Sequence, residues 1–118
     1  MPRVLLLAIT IIFFAGCAGV EPEIPEGIVA RDSMVTLLAE VHIAEATLIR
    51  SGSKGLDINI KSAYLQEVLT NAGVDTTRFL QSFDFYSTQP EMFAEMYEEV
   101  VVEISKRQSR ANAPKDKK

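Results

Sequence analysis

Residues 31–50 read RDSMVTLLAEVHIAEATLIR, a run of twenty without a glycine or a proline. Met34, Leu37, Val41, Ala44 and Leu48 recur every three or four positions, and Leu38 and Ile49 widen the stripe. That spacing marks a helix that buries one face. Asp32 or Ser33 can cap or charge its first turn, where unpaired N–H groups favour an acceptor. The Ser51-Gly52-Ser53-Lys54-Gly55 stretch that follows is too rich in breakers to continue it.

The same logic extends outward. A second helix is expected from about Ile58, with Asp57 as its N-cap. Tyr64, Leu65, Val68, Leu69, Ala72 and the stem of Lys61 form its inner face. Gly73 is placed to close it in the left-handed conformation. Asp75 caps a short third helix, Thr76 to Ser87, with Phe79, Phe83 and Tyr86 on one side. Gln89-Pro90 ends that helix, and Pro90 suits the first position of a fourth. The fourth carries Phe93, Met96, Tyr97, Val100, Val101 and Ile104 on one side and Glu91, Glu95, Glu98, Glu99 and Glu103 on the other. No alternating strand pattern appears. Val100-Val101-Val102 is the one β-like run, and the helical spacing on both sides of it prevails. The fold expected is all-α, a small bundle of about four helices over residues 29–105, large enough for one core.

The N-terminus reads differently. Arg3 is followed by VLLLAITIIFF from Val4 to Phe14. Eleven residues of helix span roughly 16 Å, about half the hydrocarbon thickness of a bilayer. This stretch suits the apolar region of a signal peptide and is too short for a membrane anchor. Ala15-Gly16-Cys17 then matches the site at which a lipoprotein is acylated on its cysteine and cut, although Phe14 stands where Leu is usual. Residues 1–16 are thus expected to be a lipoprotein signal peptide and Cys17 the lipidated residue. Ordinary secretion, with cleavage after Ala18, is the alternative. Residues 17–28, with two prolines, two glycines and three glutamates, read as an extended linker. Ala18 is not the aspartate that retains such proteins at the inner membrane. The expected location is therefore the outer membrane. Glu21, Glu23 and Glu26 are dispersed and form no compact acidic run of the kind that aids surface export, so its periplasmic face is expected and the cell surface is the alternative.

Charge is unevenly spread. Residues 18–105 hold fifteen acids and five bases, whereas residues 106–118 hold six bases and one acid. The SKRQSRANAPKDKK end lacks apolar periodicity, and residues 106–118 are expected to be a basic, disordered tail. A nucleic-acid surface needs basic residues on the folded part, which here is acidic, so no nucleic-acid partner is expected.

Taken together, Met34-Val35-Thr36-Leu37-Leu38-Ala39-Glu40-Val41-His42-Ile43-Ala44-Glu45-Ala46, then Tyr64, Asn71-Ala72-Gly73-Val74, Phe79, Ser82, Tyr86, Pro90 and Tyr97 carry a resemblance. The chain resembles a family of small Bacteroidota lipoproteins whose helical domain has no known function, over roughly residues 28–105 and the Cys17 site. The most specific segment is Glu40-x-His42-x-x-Glu45-Ala46, where the family usually has Asp in place of Glu40. The resemblance implies a cell-envelope lipoprotein with a helical domain, and it implies no activity.

Few residues suggest chemistry. His42 is the only histidine, and Glu45 stands one helical turn on. The pair could place two ligands on a metal, yet zinc needs three or four protein ligands. Di-metal carboxylate sites draw several such motifs from facing helices. His42 and Glu45 are therefore expected to form a structural polar pair, with metal binding through them as a lesser alternative and no cofactor. No serine lies in a nucleophile elbow, so no catalytic residue and no enzyme activity are expected. Binding remains. Phe85 falls off the inner stripe of the third helix, grouping with Arg78, Gln81 and Ser82, and Ile43 and Val102 are likewise off-stripe. Phe85, Arg78 and Ile43 are the expected partner-binding residues, provided they converge. The role expected is a non-catalytic adaptor or accessory subunit bound to an envelope protein. A chaperone-like peptide-binding module is the alternative.

Overall fold

In the computed structural model, residues 22–51 and 58–114 are described. They form four α-helices, α1 (Arg31–Arg50), α2 (Ile58–Asn71), α3 (Thr76–Ser87) and α4 (Pro90–Asn112), with no strand among the described residues. The cleavage site, Cys17, the Asp57 cap, the breaker loop after Ser51 and the last four residues lie outside them.

Local chemistry sets the helix ends. No side chain caps α1; the Ala30 carbonyl accepts from the Met34 N–H at 2.8 Å, and Asp32 supplies a charge in the first turn. Gly73, at φ +69°, ends α2: its N–H donates to the Thr70 carbonyl at 3.0 Å, and that of Val74 donates to Leu69 at 3.0 Å. This Schellman closure needs a left-handed residue, which glycine adopts without steric cost. The Asp75 carboxylate accepts from the Arg78 N–H at 2.9 Å and caps α3. Pro90 sits in the first turn of α4, where its missing N–H is no loss.

The largest contact is between α1 and α4, followed by α1 with α2, α3 with α4, and α2 with α3. Arg31 pairs with Glu99, and nine residues later Glu40 pairs with Arg107, so α1 and α4 run in the same direction. The end of α2 returns to the start of α1, where Asn71, Ala72 and Val74 face Asp32, Ser33 and Leu37. The short α3 then joins the end of α2 to the start of α4 and closes this base. The core gathers here. Val29, Met34, Val35, Leu37, Leu38, Ala39, Leu69, Phe79, Tyr86, Met92, Met96 and Val100 form one buried cluster.

Beyond the base the bundle opens. Ile49, expected to widen the stripe of α1, is 68% exposed, whereas its neighbour Leu48 is buried, so the last turns of α1 keep their inner face on Leu48 and turn Ile49 away from it. Val101, expected on the inner side of α4, is 60% exposed. The buried seam of α4 runs through Met92, Met96 and Val100, at strict four-residue intervals, and Val101 lies a quarter turn away from it. Tyr64 on α2 is also exposed. Two boundaries move as well. The helix expected to stop near residue 105 continues to Asn112, because Arg107 bonds back to Glu103 and across to Glu40. At the other end Ile24 and Ile28, expected within a free linker, pack on the core.

These positions separate two neighbours by stability. Met96→Ala removes a fully buried side chain and is expected to cost about 2–5 kcal/mol in urea denaturation. Val101→Ala is expected to change stability by no more than about 0.5 kcal/mol. Equal losses at the two positions would show that the seam of α4 is wrongly placed.

Candidate functional site

One face of α3 reads a stretch of backbone. Arg78, Ser82 and Tyr86 recur at four-residue spacing and so share a side of the helix. The Arg78 Nε donates to the Gly27 carbonyl at 2.9 Å. The Val29 N–H donates to the Ser82 hydroxyl at 2.9 Å, and that hydroxyl donates to the Arg78 carbonyl at 2.7 Å. The Tyr86 hydroxyl donates to the Val29 carbonyl at 2.7 Å. Burial pushes the Tyr86 phenol above its usual 10.0, which keeps the donating proton in place. A turn at Gly27, φ +91°, with the Ile28 N–H on the Pro25 carbonyl at 3.2 Å, presents the peptides.

This clasp corrects the reading of α3. Ser82, grouped by spacing with an outward face, is completely buried. Phe85 packs edge-on against Tyr86, with ring centroids 5.2 Å apart, and is half-buried against the core. Arg78 is committed to Gly27. Periodicity could not foresee this, because an irregular segment with no pattern of its own covers the second face of α3.

The seam of α1 and α4 is held by two charged clusters. Arg31 grips Glu99 with both arms of its guanidinium, at 2.8 and 3.1 Å, and lies 3.9 Å from Glu95. The hydrogen bond from Arg31 holds the Glu99 carboxyl below its usual 4.5. Farther along, Arg107 bonds Glu103 at 2.9 Å and Glu40 at 3.2 Å. The Glu103 bond is the main cause that lowers the Glu103 carboxyl and raises the arginine. Glu40, the first residue of the Glu-x-His-x-x-Glu segment, therefore ties α1 to the end of α4.

The rest of that segment faces elsewhere. His42 Nδ1 lies 3.4 Å from Glu45 Oε2, and the imidazole meets the Tyr97 ring edge-on at 5.9 Å. Burial, and then the charge of Glu45, raise the Tyr97 phenol above 10.0. The contact continues a chain of rings, Phe79–Phe83–Phe93–Tyr97, that ties α3 to α4 and, through His42, to α1. Among the described residues no three His, Cys, Asp or Glu side chains gather closely enough to hold a metal ion.

Above His42 the helices part. An open groove of about 690 Å³ lies between the C-terminal halves of α1 and α4, lined on one side by Ile43, Ala46 and Arg50 and on the other by Ile104, Gln108 and Ala111. Every residue lining it belongs to α1 or α4. Ile43 is thus separated from Phe85 and Arg78, and the three expected partner-binding residues do not form one patch. Ala111 was the missed signal: with Ile104, already part of the expected inner stripe, it continues that side of α4 past the boundary drawn at residue 105.

Two measurements check these contacts. Tyr86→Phe strands the Val29 carbonyl and Ser82→Ala its N–H, so each is expected to cost about 1–3 kcal/mol. The double variant is expected to cost less than the sum, because the segment is released only once; strict additivity would mean that the two bonds do not share a clasp. Glu99 gives a pH signature. Its folded-state pKa is depressed, so its contribution is complete above the unfolded value of 4.5 and lost as the pH falls through the folded one. Wild type should therefore melt above Glu99→Gln at pH 7, and the gap should close under acid. A gap that is constant with pH rules out the ion pair as its source.

The fold and its contacts can be set beside known proteins. Comparison with curated proteins and with solved structures returns no match. No described helix is long and apolar enough to cross a membrane. A family model does match, over residues 25–110, which takes in the Gly27–Val29 clasp at one end and Arg107 at the other. The chain belongs to the family described as domain of unknown function DUF4296.

Proposed function

We propose that this chain is a lipid-anchored, non-catalytic adaptor of the cell envelope that receives a helix of a partner protein in the groove between α1 and α4. The groove carries the reading. Its walls are apolar or small at Ile43, Ala46, Ile104 and Ala111, and Arg50 and Gln108 supply a polar rim. Small residues let a third helix come close, and open apolar grooves between helices are a common seat for an amphipathic helix. Ser82, Tyr86 and Glu40 are committed to structure: the first two hold Val29, and Glu40 holds Arg107. Anchoring through Cys17 rests on the Ala15-Gly16-Cys17 sequence after an apolar stretch.

The test pairs a groove variant with an anchor variant. Ala46 is exposed, so Ala46→Arg fills the groove without touching the core and should leave the melting temperature unchanged. Detergent extraction followed by mass spectrometry is expected to recover one stoichiometric partner with wild type and to lose it with Ala46→Arg. Undiminished recovery would remove the groove from the proposal, and many substoichiometric companions would favour the chaperone reading. Cys17→Ala should shift the protein from the membrane to the soluble fraction. Two or three acyl chains, at about 0.8 kcal/mol per buried CH₂, hold a protein that none would.

A further inference from the structure

The outward face of α4 has its own pattern. At about 100° per residue, Glu98, Val101, Val102 and Ser105 fall within one quadrant or little more, turned away from the Met92–Met96–Val100 seam. Val101 and Val102 are 60% and 51% exposed in mid-helix, with Glu98 exposed one turn before them and Lys106 exposed one turn after. Glu95, 70% exposed, shares a flank with Lys106. The face is therefore acidic at one end, apolar in the middle and basic at the other.

We propose that α4 is a self-association surface, on which a second copy of this chain packs antiparallel across the Val101–Val102 pair. Charge decides the direction. A parallel pair sets Glu98 against Glu98 and Lys106 against Lys106. An antiparallel pair centred on the two valines sets Glu98 and Glu95 of each copy against Lys106 of the other, so that two like-charge clashes become two attractions. The valines then meet at the twofold axis, and the small side chains of Ala94 and Ser109 come opposite each other, allowing close approach. The same patch meets itself, so the contact closes as a dimer and does not grow into a filament. A contact confined to one helix face falls short of the roughly 1,200 Å² at which specific, stable interfaces begin. The association is reversible and depends on concentration. The surface differs from the groove that receives a partner helix, and neither requires the other.

Site-directed disulfide crosslinking of the full chain in detergent tests the geometry, with Cys17→Ser in every variant so that the introduced thiol is the only one. Val102→Cys is expected to give a covalent dimer on mild oxidation. Ala94→Cys and Ser109→Cys are expected to give none alone and a heterodimer when mixed. Lys106→Glu should abolish the Val102→Cys crosslink, and adding Glu98→Lys to it should restore the band. These positions are exposed, and an unchanged thermal melt accompanies each result. Val102→Cys that stays monomeric overturns the proposal. Self-crosslinking of Ala94→Cys as strong as that of Val102→Cys also overturns it, as does a crosslink indifferent to Lys106→Glu.

Discussion

The peptide of Val29 is nearly sealed from water, at 3% exposure, just before the longest core-facing run of the chain begins. A buried N–H and a buried C=O each cost a good part of a hydrogen bond's free energy if left unpaired. No helix or sheet is available to pair them, because the segment from Pro22 to Ala30 is irregular. Ser82 and Tyr86 supply both partners, from adjacent turns of α3. Fixing this one peptide fixes where α1 starts and brings α3 beneath it. It also sets the height at which Met34, Leu37 and Leu38 meet Met96 and Val100. The base of the bundle depends on that registration.

The seam between α1 and α4 is then locked at two heights by charge. The folded region carries many more acids than bases, so its few arginines matter individually. Arg31 takes Glu99 in a bidentate grip at the bottom, and Arg107 joins Glu103 to Glu40 higher up. Exposed pairs contribute little each. Their value here is orientation, because two parallel helices with apolar seams could slide by a turn, and these pairs oppose it. Arg107, expected within a disordered tail, is therefore a structural element of the fold.

The limits between α2, α3 and α4 were legible because they rest on local chemistry, whereas the end of α4 at Asn112 was not. Gly73, Asp75 and Pro90 do in the structure what their spacing and residue type predict. The faces were less legible. Val101 and Met96 are both apolar and one can trade for the other in a stripe, so spacing alone could not choose between seams a quarter turn apart. Ser82 looks outward on any helical projection, and only the covering segment, which has no period, buries it, while Arg78 stays exposed and reaches the Gly27 carbonyl of that segment. For the candidate site, His42 and Glu45 were found as a pair, and the chain of rings they join was not. Contacts among Phe83, Phe93, Tyr97 and His42 unite three helices, and no pattern within one helix records them.

The same geometry explains why the molecule is closed at one end and open at the other. The twelve residues of α3 give it a length of about 18 Å, against about 30 Å for the twenty residues of α1. It is spent on capping the base and joining α2 to α4, and nothing of it is left to run beside the upper turns. Leu38 therefore lies in the core, and His42, one turn above it on the same side of α1, lies at its edge. Ile49, two turns higher still, stands in solvent. Among the described residues no further helix covers this side of the upper half, and Ile43, Ala46, Ile104 and Ala111 form the walls of the groove there.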